Sequence, residues 1–188
     1  FGAGHSSTSV SAALGFAEAA KQQGLSSKAV ALIGDGSLTG GLAFEGLNNA
    51  GAAKSDILVI LNDNNISIDR NIGAIHEYLL EITTDPRYNK AKKHVWDKLG
   101  EGRLRKWLQR FVVNTKSSLV RHSGGDLFEA MGFRYFGPID GNDIEQDIKT
   151  LRKLKDLGGP ILLHTLTTKG KGYAPAEANQ TVWHAPGI

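Results

Sequence analysis

The sequence contains no cysteine among its 188 residues. This absence excludes disulfide bonds, cysteine-based metal sites and catalysis by a thiolate. No apolar run approaches the ~20 residues that a membrane-spanning helix needs, and no charged, apolar and small-residue leader indicates a signal peptide. We therefore expect no membrane partner. The composition, 40% hydrophobic and 22% charged residues, is that of a globular chain long enough for one large α/β domain.

Two common nucleotide-binding patterns are also missing. The sequence has no G-x-x-x-x-G-K-[ST] phosphate loop. The dinucleotide fingerprint G-x-G-x-x-G is met only loosely around Gly36, without the acidic residue expected after the next strand. A nucleotide-binding fold therefore lacks support from a motif, although a non-catalytic nucleotide- or phosphate-binding module stays open as an alternative.

Basic residues gather between Arg87 and Arg121, in a chain of net charge +3. A basic surface can bind nucleic acid, but this segment lacks the interleaved aromatic residues of an RNA-binding pattern. Its apolar residues instead favour the buried side of amphipathic helices with a solvated basic side. These apolar residues are Val95, Leu99, Leu104, Leu108, Phe111 and Val112. We predict that residues 85–124 form a helical, mobile insertion, and we expect no nucleic-acid partner.

Short apolar segments alternate with helical patterns along the rest of the chain. We predict strands over Lys28–Gly34, Asp56–Asp63, Phe133–Phe136 and Ile161–Leu166. Helices are predicted over Val10–Gly24, over Gly41–Gly51 with the glycine as its end, within 65–84, and around Ile144, Ile148, Leu151 and Leu154 as one apolar face. This order of elements predicts an α/β fold with a doubly wound parallel sheet and helices on both faces.

Polar residues follow the first two predicted strands. Asp35 lies between two glycines after the first strand, and Asn64 belongs to an Asn-Asp-Asn-Asn run after the second. Open parallel sheets bind ligands outside the carboxyl ends of their strands. One carboxylate and one amide oxygen, with a backbone carbonyl, suit Mg²⁺ that keeps phosphate oxygens as ligands. Either motif alone is common turn chemistry, but the two together favour a cation site.

The Gly34–Gly36 motif, a spacer of 27 residues and the Asn64–Asn65 pair resemble the thiamine diphosphate motif. The surrounding phrases are more specific. In order, "GHSSTSVSAALG", "GDGSLTGGLAFEGLNNAG", "LNDNNISI", "FRYFGPIDGND", "GPILLHTLTTKGKGYAPAE" and "WHA" are similar to the 1-deoxy-D-xylulose-5-phosphate synthase family. Residues 73–124 carry little of this signature. Transketolase shares the motif without this set of phrases, and it stays an alternative.

The resemblance implies an enzyme, a transferase of the transketolase type. In this family, pyruvate is condensed with D-glyceraldehyde 3-phosphate and CO2 is released. This reaction is the first step of non-mevalonate isoprenoid (terpenoid) biosynthesis, and its product also feeds thiamine synthesis. The resemblance further implies thiamine diphosphate and Mg²⁺ as cofactors, a homodimer, and a location in the bacterial cytoplasm or the plastid stroma.

The resemblance also assigns roles to individual residues. Asp35 and Asn64 would ligate Mg²⁺ through their side chains, and Ile66 through its carbonyl oxygen. His184 would be the catalytic residue, near the diphosphate and the substrate. Cofactor contacts would come from Gly4, His5, Ser6, Gly36, Ser37, Asn64 and Tyr173. Ile66 stands where the family often has methionine, which costs little for a backbone ligand. Asn142 stands where the family has histidine, so no role is assigned there.

The opening "FGAGHSSTS" reads as an entry into the middle of a domain. We expect residues 1–188 to be a single diphosphate- and Mg²⁺-binding domain within a longer polypeptide. The family activates its cofactor through a glutamate on the following domain and uses histidines from a preceding segment. Since this chain contains neither, the resemblance implies that the remaining domains are its partners and that the isolated chain is inactive.

Overall fold

The computed structural model describes residues 4–64, 73–84 and 125–184. Within them, four parallel strands form one sheet in the order β1-β2-β4-β3. The strands are Ala29–Gly34 (β1), Ile57–Asp63 (β2), Arg134–Asp140 (β3) and Ile161–Leu166 (β4). The helices are Ser9–Gln22 (α1), Asp35–Leu38 (α2), Gly41–Ala53 (α3), Ala74–Thr84 (α4), Asp126–Ala130 (α5), Ile144–Leu154 (α6) and Ala174–Ala178 (α7).

Two apolar layers lie on opposite faces of this sheet. Val59 of β2 and Leu162 of β4 belong to the first layer, together with buried residues of α1, α3 and α4. Leu163 of β4 belongs to the second layer, where it packs with Leu154 of α6. Because successive side chains of a strand point to opposite faces, Leu162 and Leu163 must serve different layers. The predicted doubly wound α/β sheet with helices on both faces is therefore confirmed.

The third strand is longer than we predicted. The prediction ended it at Phe136, whereas β3 continues through the Gly137–Pro138 dipeptide to Asp140. A Gly-Pro pair indicates a turn, but β3 is the edge strand of the sheet and its register with β4 shifts at this dipeptide. Proline is tolerated at such a bulge on an edge strand. A Cβ atom on Gly137 would overlap the carbonyl oxygen of His164, so glycine permits this close approach.

Helix α3 does not end at Gly51, which we predicted as its stop. The helix continues to Ala53, and Lys54 follows in the left-handed conformation with φ of 52°. A Cβ atom on Gly51 would overlap the carbonyl oxygen of Met131, in the turn after α5. The glycine therefore permits a close contact between α3 and this turn, and the helix is ended by the residue beyond it.

Helix α6 buries only part of the apolar face that we predicted. Leu154 is buried and Leu151 is partly buried against the second layer. Ile144 and Ile148, which we placed on the same buried face, are 67% and 42% exposed. The second layer therefore covers the C-terminal half of this helix.

Some predictions concern residues outside the described ranges. The predicted helical insertion at 85–124 and the predicted ligand Ile66 both lie there. Among the helices that the structure describes, none has the length and apolar character required to cross a membrane.

Candidate functional site

Two aspartates meet at the carboxyl ends of β1 and β2. Gly34, the last residue of β1, is in register with Asn62 of β2, so the residues that follow each of them lie at the same level. Asp35 and Asp63 are only 5% and 2% exposed, and the protonated Asp35 carboxyl donates a hydrogen bond to Asp63. We predicted that Asp35 and Asn64 share this edge. The structure places Asp35 beside Asp63, the residue that immediately precedes Asn64.

The surroundings of Asp35 favour the binding of a cation. Burial raises the pKa of the Asp35 carboxyl, and the neighbouring charge of Asp63 raises this pKa further, while a hydrogen bond from the Gly36 backbone N–H opposes the shift. A divalent cation would favour the ionised carboxylate and offset the repulsion between the two aspartates. The Asp35 carboxylate oxygens and the Asn64 amide oxygen are hard ligands of the kind that Mg²⁺ prefers. This donor set fits Mg²⁺.

Histidine and carboxylate side chains alone do not complete a metal site in the described part of the chain. Residues 4–64, 73–84 and 125–184 contain no group of three or more histidine, aspartate or glutamate side chains that could hold a metal ion. A cation at Asp35 would therefore need oxygen ligands of other kinds, such as an amide, a backbone carbonyl or a phosphate. The carbonyl of Ile66 stays a prediction, because this residue lies outside the described ranges.

Asp63, His164 and Tyr135 belong to this site but were not selected as site residues from the sequence. Nε2 of His164 lies 3.0 Å from Oδ2 of Asp63, and Nδ1 of the same ring lies 2.7 Å from the hydroxyl oxygen of Tyr135. His164 is fully buried. The one signal that could have identified it is a histidine inside the otherwise apolar strand "ILLHTL". The sequence gives no comparable signal for Tyr135.

Hydrogen bonds from the end of β4 fix the end of β2. The Thr165 hydroxyl donates to the Leu61 carbonyl at 3.1 Å, and the Thr167 hydroxyl donates to Oδ1 of Asn62 at 2.8 Å. The Thr167 N–H donates to the carbonyl of Asp63 at 2.9 Å. The chain therefore leaves β2 towards Asn64 from a well-anchored point.

The turn before α1 lies beside α2. The Ser7 hydroxyl donates to the Ser37 carbonyl at 2.7 Å. The three residues before Ser7, which are Gly4, His5 and Ser6, are exposed. The structure thus brings this turn next to the Gly36–Ser37 segment that follows the buried Asp35. We predicted His5 and Ser6 at a helix N-terminus, and the helix begins shortly after them, at Ser9.

Tyr173 and His184 belong to a second cluster, in the segment that follows β4. The Tyr173 ring meets the Trp183 ring edge to face, with centroids 5.2 Å apart and an angle of 84°. Lys169 Nζ donates a hydrogen bond to Nδ1 of His184. Tyr173 and Trp183 are 52% and 41% exposed, so both rings are accessible. This segment starts from the same carboxyl edge of the sheet as Asp35.

The fold is that of transketolase. The crystal structure of transketolase from Campylobacter jejuni matches 94% of this chain and 22% of its own length, with a TM-score of 0.60 and 23% identity. The sequence is more specific. The family described as 1-deoxy-D-xylulose-5-phosphate synthase matches residues 1–167, and the chain belongs to this family. The predicted family resemblance is thereby confirmed.

Curated relatives match the whole chain. The 1-deoxy-D-xylulose-5-phosphate synthases of Cytophaga hutchinsonii and Phocaeicola vulgatus are 48% and 51% identical to it over 100% of its length. The synthase of Chlorobaculum tepidum is 50% identical over 98% of the chain. In each case the chain spans 30% of the length of the relative.

Proposed function

We propose that this chain is the cofactor- and cation-binding part of a 1-deoxy-D-xylulose-5-phosphate synthase. Such a transferase condenses pyruvate with D-glyceraldehyde 3-phosphate and releases CO2, at the start of isoprenoid and thiamine synthesis. Identity of about 50% along the whole chain carries this proposal. The buried Asp35–Asp63 pair at the carboxyl edge of the sheet supports the position of the cation site.

The wider assembly follows from the same proposal. Residues 1–188 would be one domain, and further domains of the same enzyme would complete the active site, since the chain spans 30% of its relatives. The complete enzyme would be a homodimer in the bacterial cytoplasm or the plastid stroma.

The cation would be held by Asp35 and Asn64 through their side chains and by the carbonyl of Ile66. Mg²⁺ would neutralise the diphosphate charge, and thiamine diphosphate supplies the carbanion stabilisation that the decarboxylative condensation needs. The Asp35 oxygen contributes strongly because it is buried, where a charge interaction is less screened than in water. Gly36 and Ser37 would contact the diphosphate from α2.

The exposed groups at this edge would orient the cofactor and the substrate. The exposed turn beside α2 contains Gly4, His5 and Ser6. The ring of Tyr173 has an accessible apolar face. Since Lys169 donates to Nδ1 of His184, the proton of the neutral His184 ring is on Nε2. From this atom His184 would donate a hydrogen bond to the substrate, which is the catalytic role that we propose for it.

Titration calorimetry of the chain with thiamine diphosphate tests this proposal. We expect uptake in the presence of Mg²⁺ and none in the presence of a chelator, because the diphosphate reaches the protein through the cation. ATP serves as the control ligand. Binding of ATP in place of thiamine diphosphate would contradict the proposal and favour a nucleotide-binding module.

A further inference from the structure

A line of hydrogen bonds crosses the whole sheet within its first apolar layer. Each strand contributes one residue to this line, from within the strand or directly after it, and the residues follow the order of the strands in the sheet. Tyr135 of β3 contacts His164 of β4 at 2.7 Å, His164 contacts Asp63 of β2 at 3.0 Å, and Asp63 contacts Asp35, directly after β1. The line ends at the carboxyl group that we assign to the cation.

The donors of this line point towards the cation site. The carboxylate of Asp63 accepts a hydrogen bond, so Nε2 of His164 carries the ring proton. With its proton on Nε2, the neutral ring has a lone pair on Nδ1, and Nδ1 accepts a hydrogen bond from the Tyr135 hydroxyl. One oxygen of Asp63 thereby accepts a hydrogen bond from His164. This bond fixes the orientation of the Asp63 carboxyl group beside Asp35.

Packing fixes the rings that form this line. Tyr135 stacks on the fully buried Phe128, with centroids 5.9 Å apart and an angle of 2°. The rings of Tyr135 and His164 meet edge to face at 6.0 Å. The backbone of β3 lies close to the carbonyl of His164 at Gly137. The imidazole ring is therefore held in one orientation.

A role limited to the stability of the core would not require these polar groups. The strand neighbours of His164 on the same and the opposite face, Leu162 and Leu163, are apolar and buried. An apolar side chain of similar volume at position 164 would avoid the cost of burying a polar ring. Such a side chain could not orient the Asp63 carboxyl group, which is the task that imidazole performs here.

We propose that Tyr135 and His164 are positioning residues of the cation site, which act by holding the Asp63 carboxyl group against Asp35. This inference rests on the proposed function, since it assigns the cation of the cofactor complex to Asp35. Asp63 is the hydrogen-bonded partner behind the proposed ligand Asp35, and His164 and Tyr135 hold that partner in place. Loss of the partners that orient a metal ligand typically lowers metal affinity about 10- to 100-fold.

Two amide substitutions at position 164 test the two hydrogen bonds of His164 separately. In His164→Gln, the amide nitrogen reaches the place of Nε2 and can donate to Asp63. In His164→Asn, the shorter amide reaches the place of Nδ1 and can accept from Tyr135, but it does not reach Asp63. Ser55→Ala is the control for lost stability, because the buried Ser55 donates to Glu18 at 2.5 Å, at the opposite end of β2.

The measurements are calorimetric affinity for thiamine diphosphate with saturating Mg²⁺, and thermal unfolding of the cation-free chain. We expect His164→Gln to keep the wild-type affinity within about 5-fold and His164→Asn to lose about 10- to 100-fold. Tyr135→Phe is expected to fall between them. Ser55→Ala should lower the melting temperature without a change in affinity, since it leaves the line intact.

Equal affinities of the Gln and Asn variants would overturn this inference alone. Binding of ATP in place of thiamine diphosphate by the wild-type chain would overturn the proposed function, and the inference with it. NMR of the ¹⁵N-labelled His164 ring gives a reading that does not depend on any ligand. We expect a proton on Nε2 of His164 in the wild type, and a ring that carries its proton on Nδ1 alone would overturn the proposed direction of the line.

Discussion

Replacing Asp35 with asparagine is expected to abolish Mg²⁺-dependent uptake of thiamine diphosphate and, at the same time, to stabilise the cation-free chain. Two unit charges about 4 Å apart attract by about 4 kcal/mol at an effective dielectric constant of about 20, and a divalent cation ligated directly by the carboxylate is attracted at least as strongly. Loss of that attraction corresponds to roughly a 100- to 1,000-fold loss of affinity. The amide keeps the shape of the side chain and can donate to Asp63, so the repulsion of two buried carboxylates disappears.

The gain in stability should depend on pH. The raised pKa of Asp35 means that the folded chain holds this proton to a higher pH than the unfolded chain. The free energy of unfolding of the wild type therefore falls as the pH rises from about 3.8, the ordinary value, to the raised pKa. Asp35→Asn does not titrate there, so its advantage grows over this window, to on the order of 1 kcal/mol per unit of pKa shift.

Denaturant unfolding at several pH values, in the presence of a chelator, measures this difference. Asp156→Asn is the matched control, because Asp156 is an exposed carboxylate in the turn after α6. It should change neither the affinity for the cofactor nor the pH dependence. An Asp35→Asn chain that is less stable than the wild type at neutral pH would contradict the account of this buried pair.

Gly51→Ala is expected to be among the most destabilising single-methyl substitutions in the chain. Alanine favours a helix over glycine by about 1 kcal/mol, but the added Cβ atom would overlap the carbonyl oxygen of Met131. A backbone atom cannot rotate away as a side chain does. Helix α3 and the turn after α5 must therefore separate, and overpacking of this kind typically costs about 1–3 kcal/mol.

Gly15→Ala provides the opposite expectation. Gly15 lies in α1, and apart from its chain neighbours and the surrounding helix backbone no atom lies within 4 Å of a Cβ added there. The same methyl group should therefore stabilise the chain by roughly 0.5–1 kcal/mol, the difference between glycine and alanine in a helix interior. Thermal unfolding of the two variants measures both effects. Similar shifts of the melting temperature in the two variants would show that α3 does not pack closely on Met131.

The sheet could be predicted because each strand carries its own signal. The β2 and β4 segments are short apolar runs flanked by turn residues, which is typical of strands covered on both faces. Parallel order then follows from the intervening helices. Parallel pairing also explains why Asp35 and the Asp63–Asn64 segment could be expected at one edge.

The features that the sequence did not predict all depend on contacts between distant elements. Gly51 has the identity of a helix stop, and only its contact with Met131 shows a packing role. The Gly137–Pro138 pair indicates a turn unless the strand is known to lie at an edge. The role of His164 depends on its hydrogen bonds with Tyr135 and Asp63, which are 29 and 101 residues away in sequence.

The most direct test of the cation site is an anomalous difference map from crystals of the chain grown with Mn²⁺ and thiamine diphosphate. Mn²⁺ stands in for Mg²⁺ because both prefer octahedral oxygen ligands. The account predicts a peak bound by Oδ atoms of Asp35 and Asn64, at about 2.0–2.2 Å. A peak bound elsewhere, for instance at the acidic residues Asp140, Asp143 and Asp147 around the start of α6, with none at Asp35, would contradict it.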